Sequence, residues 1–430
     1  MGYKKNIASN FITQIITSAL AFVVSVIVSR VLGPEGKGIV AYFLLFFTTI
    51  GQYGHLGITY ATPYFSKKTE YNEKEVFNNN FSYILFMCLV ISLIILAGRS
   101  LEIIFIDYSY PMIILGVCTL TFTMIAEFLS TFYIANERII EVNRVNLTSN
   151  LLKLFTILVL WLTSTLNLYT YLVVITFPLI LNTIFLIRNL KIDFKIIINK
   201  VLLSKEFKFG ITIYLSTLFI FMNYKIDQFF IKFMLGKEQL GIYTVAVSLA
   251  ELLFLIPGSV AGAILGRLYN MEDDNPNERK KLTSGTIKVT FYITFILMLI
   301  GIACTVLIPI VYGEDYSEAI MPTIILFLGI LFASIGKISA SYFQSSGEPK
   351  IHLYITFIVF LINIVMNWIM IPLVGISGAA IASTISYTAY GILYVVVFIK
   401  KEKFTFQGMF LFSKEERENI NLIIRNLFRR

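Results

Sequence analysis

Apolar residues fill this chain in blocks of about twenty, separated by short polar stretches. Blocks such as 10–29, 81–97, 286–309 and 378–399 carry few or no charges. At about 1.5 Å per residue, each can cross about 30 Å of hydrocarbon. The pattern predicts twelve helical spans, near 10–29, 39–60, 81–97, 110–133, 145–164, 168–187, 210–231, 241–266, 286–309, 321–343, 352–371 and 378–399. Only the polar stretch from Thr163 to Asn167 divides the fifth from the sixth, so these two form a tight hairpin. The expected fold is an all-α membrane protein.

One loop signature occurs twice. Leu32-Gly33-x-Glu35-x-x-Gly38-Ile39 joins the first two spans, and Leu235-Gly236-x-Glu238-x-x-Gly241-Ile242 joins the seventh and eighth, 203 residues later. Weaker echoes keep the same order. Asp107-Tyr108-Ser109 returns as Asp315-Tyr316-Ser317, and Phe132 with Glu137 returns as Phe343 with Glu348. The second half therefore restarts the first. Six spans per half is an even number, so both halves enter the membrane in the same direction. That predicts two six-helix lobes about a parallel pseudo-two-fold axis, with a cleft between them that rocking exposes to either side.

The expected organisation is an N-terminal lobe over 1–190, a linker over 191–209, a C-terminal lobe over 210–400 and a basic tail over 401–430. In the inter-lobe stretch 188–209, Ile196, Ile197, Val201 and Leu202 alternate with Lys195, Lys200 and Lys205, which predicts a helix lying on the membrane surface. In the tail, Ser413-x-x-Glu416 has the spacing of a capping box. Ile420, Ile423, Ile424 and Leu427 follow at helical spacing, which predicts a second interfacial helix.

Composition sharpens the membrane reading. The chain is 57% hydrophobic and only 14% charged, whereas soluble chains run nearer a quarter charged. The first apolar run follows Lys4 and Lys5 but is too long for a signal peptide, so it is expected to stay as the first helix. The net charge of +9 is a topology signal. Most Lys and Arg fall in the segments that share a side with the N-terminus, which places both termini in the cytoplasm. It does not point to nucleic acid. Cys88, Cys118 and Cys304 all lie inside spans, without metal-ligand or disulfide spacing.

Polar residues inside spans recur at helical spacing and so share faces. The first span carries Asn10, Gln14, Ser18, Ser25 and Ser29, and the second Thr48, Gln52, His55 and Thr59. The seventh carries Thr212, Ser216, Asn223 and Asp227, and the eighth Thr244, Ser248 and Glu251. Further stripes mark the fifth (Asn146, Asn150, Lys153) and the tenth (Ser334, Lys337, Ser341, Gln344). Hydrogen bonding between helices is an open alternative for the Ser and Thr members. It is also the commoner role for a lone His such as His55. Charges at depth are harder to explain by packing alone. Lys153, Lys225, Lys337 and Arg30 are candidates to hold an anionic headgroup, with Gln14, Gln52 and His55 beside them. Asp227 and Glu251 are candidates to bind a coupling H+ or Na+. Buried ion pairs are the competing reading for all of these. Lys225 and Asp227 lie two apart and point to different faces, and the stripe favours Asp227 toward the cleft. Pro257, followed by Gly258 and Gly262, is the candidate hinge.

No phosphate-binding lysine loop, HExxH, GxSxG or Cys/His cluster is present, so neither a catalytic centre nor a metal or cofactor is expected. The outer segments are short, which disfavours a membrane polymerase or glycosyltransferase.

Three stretches resemble a known family. They are Ser29-Arg30-Val31-Leu32-Gly33-Pro34-Glu35-Gly36-Lys37-Gly38, the segment from Asp227 through Gly241-Ile242-Tyr243-Thr244-Val245-Ala246, and Asn363-Ile364-Val365-Met366-Asn367 with the run from Ile371-Pro372 to Ile381-Ala382. Together they look like polysaccharide-export flippases of the Wzx type, in the multidrug/oligosaccharidyl-lipid/polysaccharide (MOP) superfamily. The resemblance covers about 400 residues. It implies a MATE-like architecture in the bacterial cytoplasmic membrane, and translocation of undecaprenyl-pyrophosphate-linked oligosaccharide from inner to outer leaflet. A polysaccharide polymerase and a chain-length regulator are implied partners. It also implies a cationic lumen, which Lys153, Lys225 and Lys337 could supply. That lumen is sparsely basic here, which argues against a peptidoglycan precursor as cargo. A cation-coupled multidrug exporter and a non-transporting scaffold are the alternative readings.

Overall fold

The computed structural model describes residues 3–68, 70–190, 192–271, 276–403 and 408. Every regular element among them is helical. In chain order these are α1 (Tyr3–Tyr53), α2 (Ile58–Lys68), α3 (Glu73–Ser100), α4 (Tyr110–Ala135), α5 (Ile139–Leu162), α6 (Leu168–Asn189), α7 (Lys200–Leu235) and α8 (Lys237–Tyr269). Then come α9 (Pro276–Cys304), α10 (Ile308–Tyr312), α11 (Ile320–Ser345) and α12 (Pro349–Glu402). Asparagine side chains start several of them. Asn72, Asn167 and Asn199 accept first-turn backbone N–H groups of α3, α6 and α7.

Ten of the described helices are long and apolar enough to cross a membrane, not twelve. The difference lies in α1 and α12, each of which turns back on itself. A straight helix of 51 residues would run about 77 Å, more than twice the hydrocarbon thickness. At Gly33 the backbone takes φ 66° and ψ 179°, a conformation open to glycine and few others. Lys37 Nζ then lies 2.9 Å from Ser25 Oγ. Twelve residues of straight helix would hold those two about 18 Å apart. The second turn-back is at Val374 and Gly375, and it brings Gly378 against the Met370 carbonyl. The tenth predicted span is α11, and α9 with α10 covers the ninth.

α1 packs on α4 and α5, α4 packs on α6, and α3 leans on α4. In the second half, α11 packs on α8, α9 and α12, and α7 lies along α12. The main cross-contacts are α1 with α8 and α2 with α7. The outer faces are apolar. Leu93, Ile94, Phe155 and Ile300 are each more than half exposed, as expected where lipid replaces water as solvent.

The two copies of the loop signature pack on each other. Gly236 adopts φ 94° and ψ −176°, close to the conformation of Gly33. A Cβ on Gly38 would fall on the Lys237 carbonyl, and a Cβ on Gly241 would fall on the Pro34 carbonyl. Shifting either contact by 203 residues produces the other. The contact is therefore reciprocal, as across a local two-fold axis. The glycines are there because backbone meets backbone. Arg30 donates to the carbonyls of Ile310 and Val311, Tyr316 Oη donates to the Ser29 carbonyl, and Lys237 pairs with Asp107 at 3.0 Å. These bonds close the two halves at this hairpin end.

The inter-lobe segment departs from expectation. Residues 192–199 form no regular element, and helix begins only at Lys200, where Val201, Leu202 and Lys205 of the expected surface helix become the first turns of α7. The N–H groups of Lys195, Ile197 and Asn199 donate to Asn78 Oδ1, Ser82 Oγ and Asn79 Oδ1. A polar face of α3 thus does the work of a neighbouring strand, and the backbone needs no helix to satisfy its donors. Just beyond, buried Glu206 on α7 accepts from Asn80 Nδ2 at 2.7 Å. The proposed tail helix, from Ser413 onward, lies outside the described residues.

Candidate functional site

A cavity of about 240 Å³ opens between the two halves. Its C-terminal wall carries Tyr224, Lys225 and Asp227 of α7, Glu251 and Phe254 of α8, Lys337 of α11 and Tyr387 of α12. Gln14 of α1 faces them. A second cavity of about 340 Å³ adjoins at Gln14 and is lined by Thr13, Thr17, Asn143, Asn146 and Asn150. Gln14 precedes Gly33 by about 28 Å of helix, so both cavities lie well away from the closed hairpin end.

Lys337 is the centre of the first cavity. Its ammonium sits 3.8 Å from the centroid of the Phe254 ring and 5.6 Å from that of Tyr224. No carboxylate pairs with it among the described residues. Two ring faces stabilise the cation without neutralising it, so its charge stays available to an anion. Gly258 borders the ammonium: a Cβ there would stand 3.5 Å from Nζ, an ordinary contact.

Lys225 and Glu251 form an ion pair across α7 and α8, Nζ to Oε1 2.7 Å. Both line the cavity, and Glu251 is the more exposed partner. Lys225, expected to hold substrate, and Glu251, expected to hold an ion, are thus each other's partners.

Asp227 keeps its face but is not free. It lines the cavity, on the cleft side that the stripe favoured, but it is buried in the cavity wall and does not project freely into the space. Its Oδ2 accepts from Tyr243 Oη at 2.6 Å and Ser383 Oγ at 3.0 Å, and its Oδ1 from the Gln228 N–H at 2.8 Å. Three donors hold the carboxylate inside the C-terminal half.

Arg30 also departs from expectation. Its guanidinium is spent on the carbonyls of Ile310 and Val311, where α10 ends, and it lines neither cavity. Neither do Gln52 and His55. His55 is fully buried, accepts from the Gly57 N–H through Nδ1 at 3.0 Å, and stands edge-on to Tyr60 and Tyr214. It is a helix-end packing residue. Lys153 lies beside the second cavity and donates to Asn150 Oδ1 at 2.9 Å. α8 runs through Pro257 without a non-helical residue; the breaks are in α1 and α12 instead. Among the described residues no three His, Cys, Asp or Glu side chains gather at metal-binding distance.

Sequence reasoning missed the aromatic cage of Tyr224, Phe254 and Tyr387. Aromatics make up 15% of the chain, so three more on apolar faces carried no signal. It also missed Asn143 and Asn182, which share the polar patch of Asn146.

The family model described as "Polysaccharide biosynthesis protein" matches residues 3–266. The chain belongs to that family. The MatE model matches residues 213–369 as well. Among curated relatives, the capsular polysaccharide biosynthesis protein CapF of Staphylococcus aureus is 23% identical over 38% of this chain and 42% of its own. A putative O-antigen transporter of Shigella flexneri is 24% identical over 42% of this chain and 43% of its own. The chain thus spans less than half the length of these two. In fold, it resembles the lipid II flippase MurJ in an inward closed conformation, with a TM-score of 0.75 at 18% identity, over 93% of this chain and 88% of that one. The family places the paired hairpins and the charged cavity in a polysaccharide biosynthesis protein. The expected MATE-like, all-α fold holds.

Proposed function

We propose that this protein is a flippase for undecaprenyl-pyrophosphate-linked oligosaccharide repeat units, working by alternating access of its two halves. The observation that carries this reading is Lys337. Its ammonium is held over Phe254 and Tyr224 inside the inter-lobe cavity and has no carboxylate partner among the described residues. A cation at depth is costly, so one kept without a counter-charge is kept for an anionic ligand. A diphosphate meets it as a point charge. Lys153 supplies a second cation near the adjoining cavity, and Lys225 a third whose charge is shared with Glu251. The names of the CapF and O-antigen relatives support a glycan cargo for surface polysaccharide assembly.

In this reading the chain lies in the bacterial cytoplasmic membrane with both termini inside. The hairpin end is then outer, and the cavity faces the inner leaflet where the cargo is made. Asp227 and Glu251 are the carboxylates through which H+ or Na+ would reset the cycle. Membrane lipids surround the chain, and a polymerase and a chain-length regulator receive the flipped unit.

The MatE match over 213–369 favours a second reading, a cation-coupled drug exporter using the same carboxylates. Depleting the protein in its native cell separates the two. Accumulation of complete lipid-linked repeat units with loss of surface polysaccharide supports flipping, and Lys337→Gln should reproduce it. An unchanged lipid-linked pool with raised sensitivity to cationic drugs overturns flipping in favour of export.

A further inference from the structure

The two cavities that meet at Gln14 have different chemistry. The one around Lys337 is aromatic and charged. The other is lined only by hydroxyls and side-chain amides. Asn143, Asn146 and Asn150 follow one another at spacings of three and four, so α5 presents them on a single face. Thr13, Gln14 and Thr17 meet them from α1.

We infer that this amide-lined cavity is the glycan-reading half of the transport site, with Gln14 and Asn146 binding sugar hydroxyls while Lys337 holds the anionic headgroup. The inference rests on the flippase reading above and adds a direction to it, sugar toward the N-terminal half and phosphate toward the C-terminal half.

A sugar hydroxyl both donates and accepts, and so does a side-chain amide. Amides carry no charge, so a neutral ring can replace water there without stripping an ion. Two donors are unspent. Asn146 Oδ1 accepts from Asn182 Nδ2 at 3.1 Å, and its own Nδ2 has no partner among the described residues. Gln14 Oε1 accepts from Ser259 Oγ at 3.3 Å across the lobe interface, and its Nε2 is likewise without a partner among the described residues. Amides serving only to glue helices together would be paired on both atoms within a packed contact. These line a cavity of about 340 Å³, within the range of about 300–1,000 Å³ usual for small-molecule sites. Lys153 donates to Asn150 Oδ1, which fixes the far end of the row.

The test compares two probes on the full chain in nanodiscs. One is bare undecaprenyl diphosphate; the other is the oligosaccharide-bearing undecaprenyl diphosphate pool extracted from the native cell. The Gln14→Ala/Asn146→Ala variant should bind the oligosaccharide probe about tenfold more weakly and the bare lipid within about twofold of the parent. Lys337→Gln should weaken both. Equal loss of both probes in the amide variant, or no loss of either, overturns the glycan assignment and leaves the flippase reading standing. A parent chain that binds neither probe overturns both. If the double variant does not fold, Gln14→Ala alone, at an exposed position, carries the same comparison.

Discussion

Replacing Gly38 by alanine puts a methyl group onto the Lys237 carbonyl, where the two signature hairpins meet. Both sides of this contact are backbone, so no side chain can rotate out of the way. An ordinary separation of 3.4–4 Å returns only if the hairpins move apart. Overpacking of this kind costs about 1–3 kcal/mol. Taking about 2 kcal/mol, the balance between closed and open hairpin ends shifts about thirtyfold. Local propensity predicts the opposite sign, because alanine is the better helix former by about 1 kcal/mol. The assay is the distance between nitroxide labels on Glu35→Cys and Glu238→Cys, both exposed beside the contact, in a chain freed of its three native cysteines. Gly38→Ala should broaden the distribution toward longer distances, and Gly241→Ala should do the same through the Pro34 carbonyl. The double variant should cost less than the sum, since both methyls relieve themselves by one movement. A Gly38→Ala distribution that overlays the parent's, with raised thermal stability, refutes the claim that this contact sets the closure.

Other expectations use the same structure. Asp107 at the hairpin end is held below the ordinary carboxylate value of 3.8 by its hydrogen bond to the Lys237 ammonium. A depressed carboxylate contributes when ionised and is lost as pH falls through its folded value, so the label distance should be flat from pH 8 to pH 5 and lengthen only below about pH 4. Asp107→Asn should abolish that acid step. Tyr243→Phe removes the closest donor to buried Asp227 and should lower stability by about 1–3 kcal/mol in thermal unfolding; Tyr387→Phe, which the carboxylate does not touch, should not. Asn79→Ala withdraws an acceptor from the inter-lobe strap, so hydrogen exchange at the Asn199 amide should rise at least tenfold while the core of α4 stays protected.

The apolar helices and their rough bounds were legible in the chain because lipid imposes two strong rules. A crossing segment must be long and apolar, and its backbone must close its own hydrogen bonds. The repeated Gly33 and Gly236 mattered for the same reason, since only such residues let a helix pair reverse so tightly. What periodicity could not decide was partnership. Lys225 and Glu251 lie 26 residues apart and meet only because α7 and α8 pack side by side. Asp227 is tied into the cavity wall because Tyr243 and Ser383, the latter 156 residues away, offer it donors there. Arg30 leaves the headgroup set because α10 ends opposite it. The linker looked helical throughout from its own residues, but its first part, 192–199, became a strap because α3 supplies acceptors to the alternate N–H groups of Lys195, Ile197 and Asn199. Spacing along one helix determines which side chains share a face, and that much the sequence determined by itself. Which neighbour that face meets depends on residues far off in the chain, and that only the tertiary structure decided.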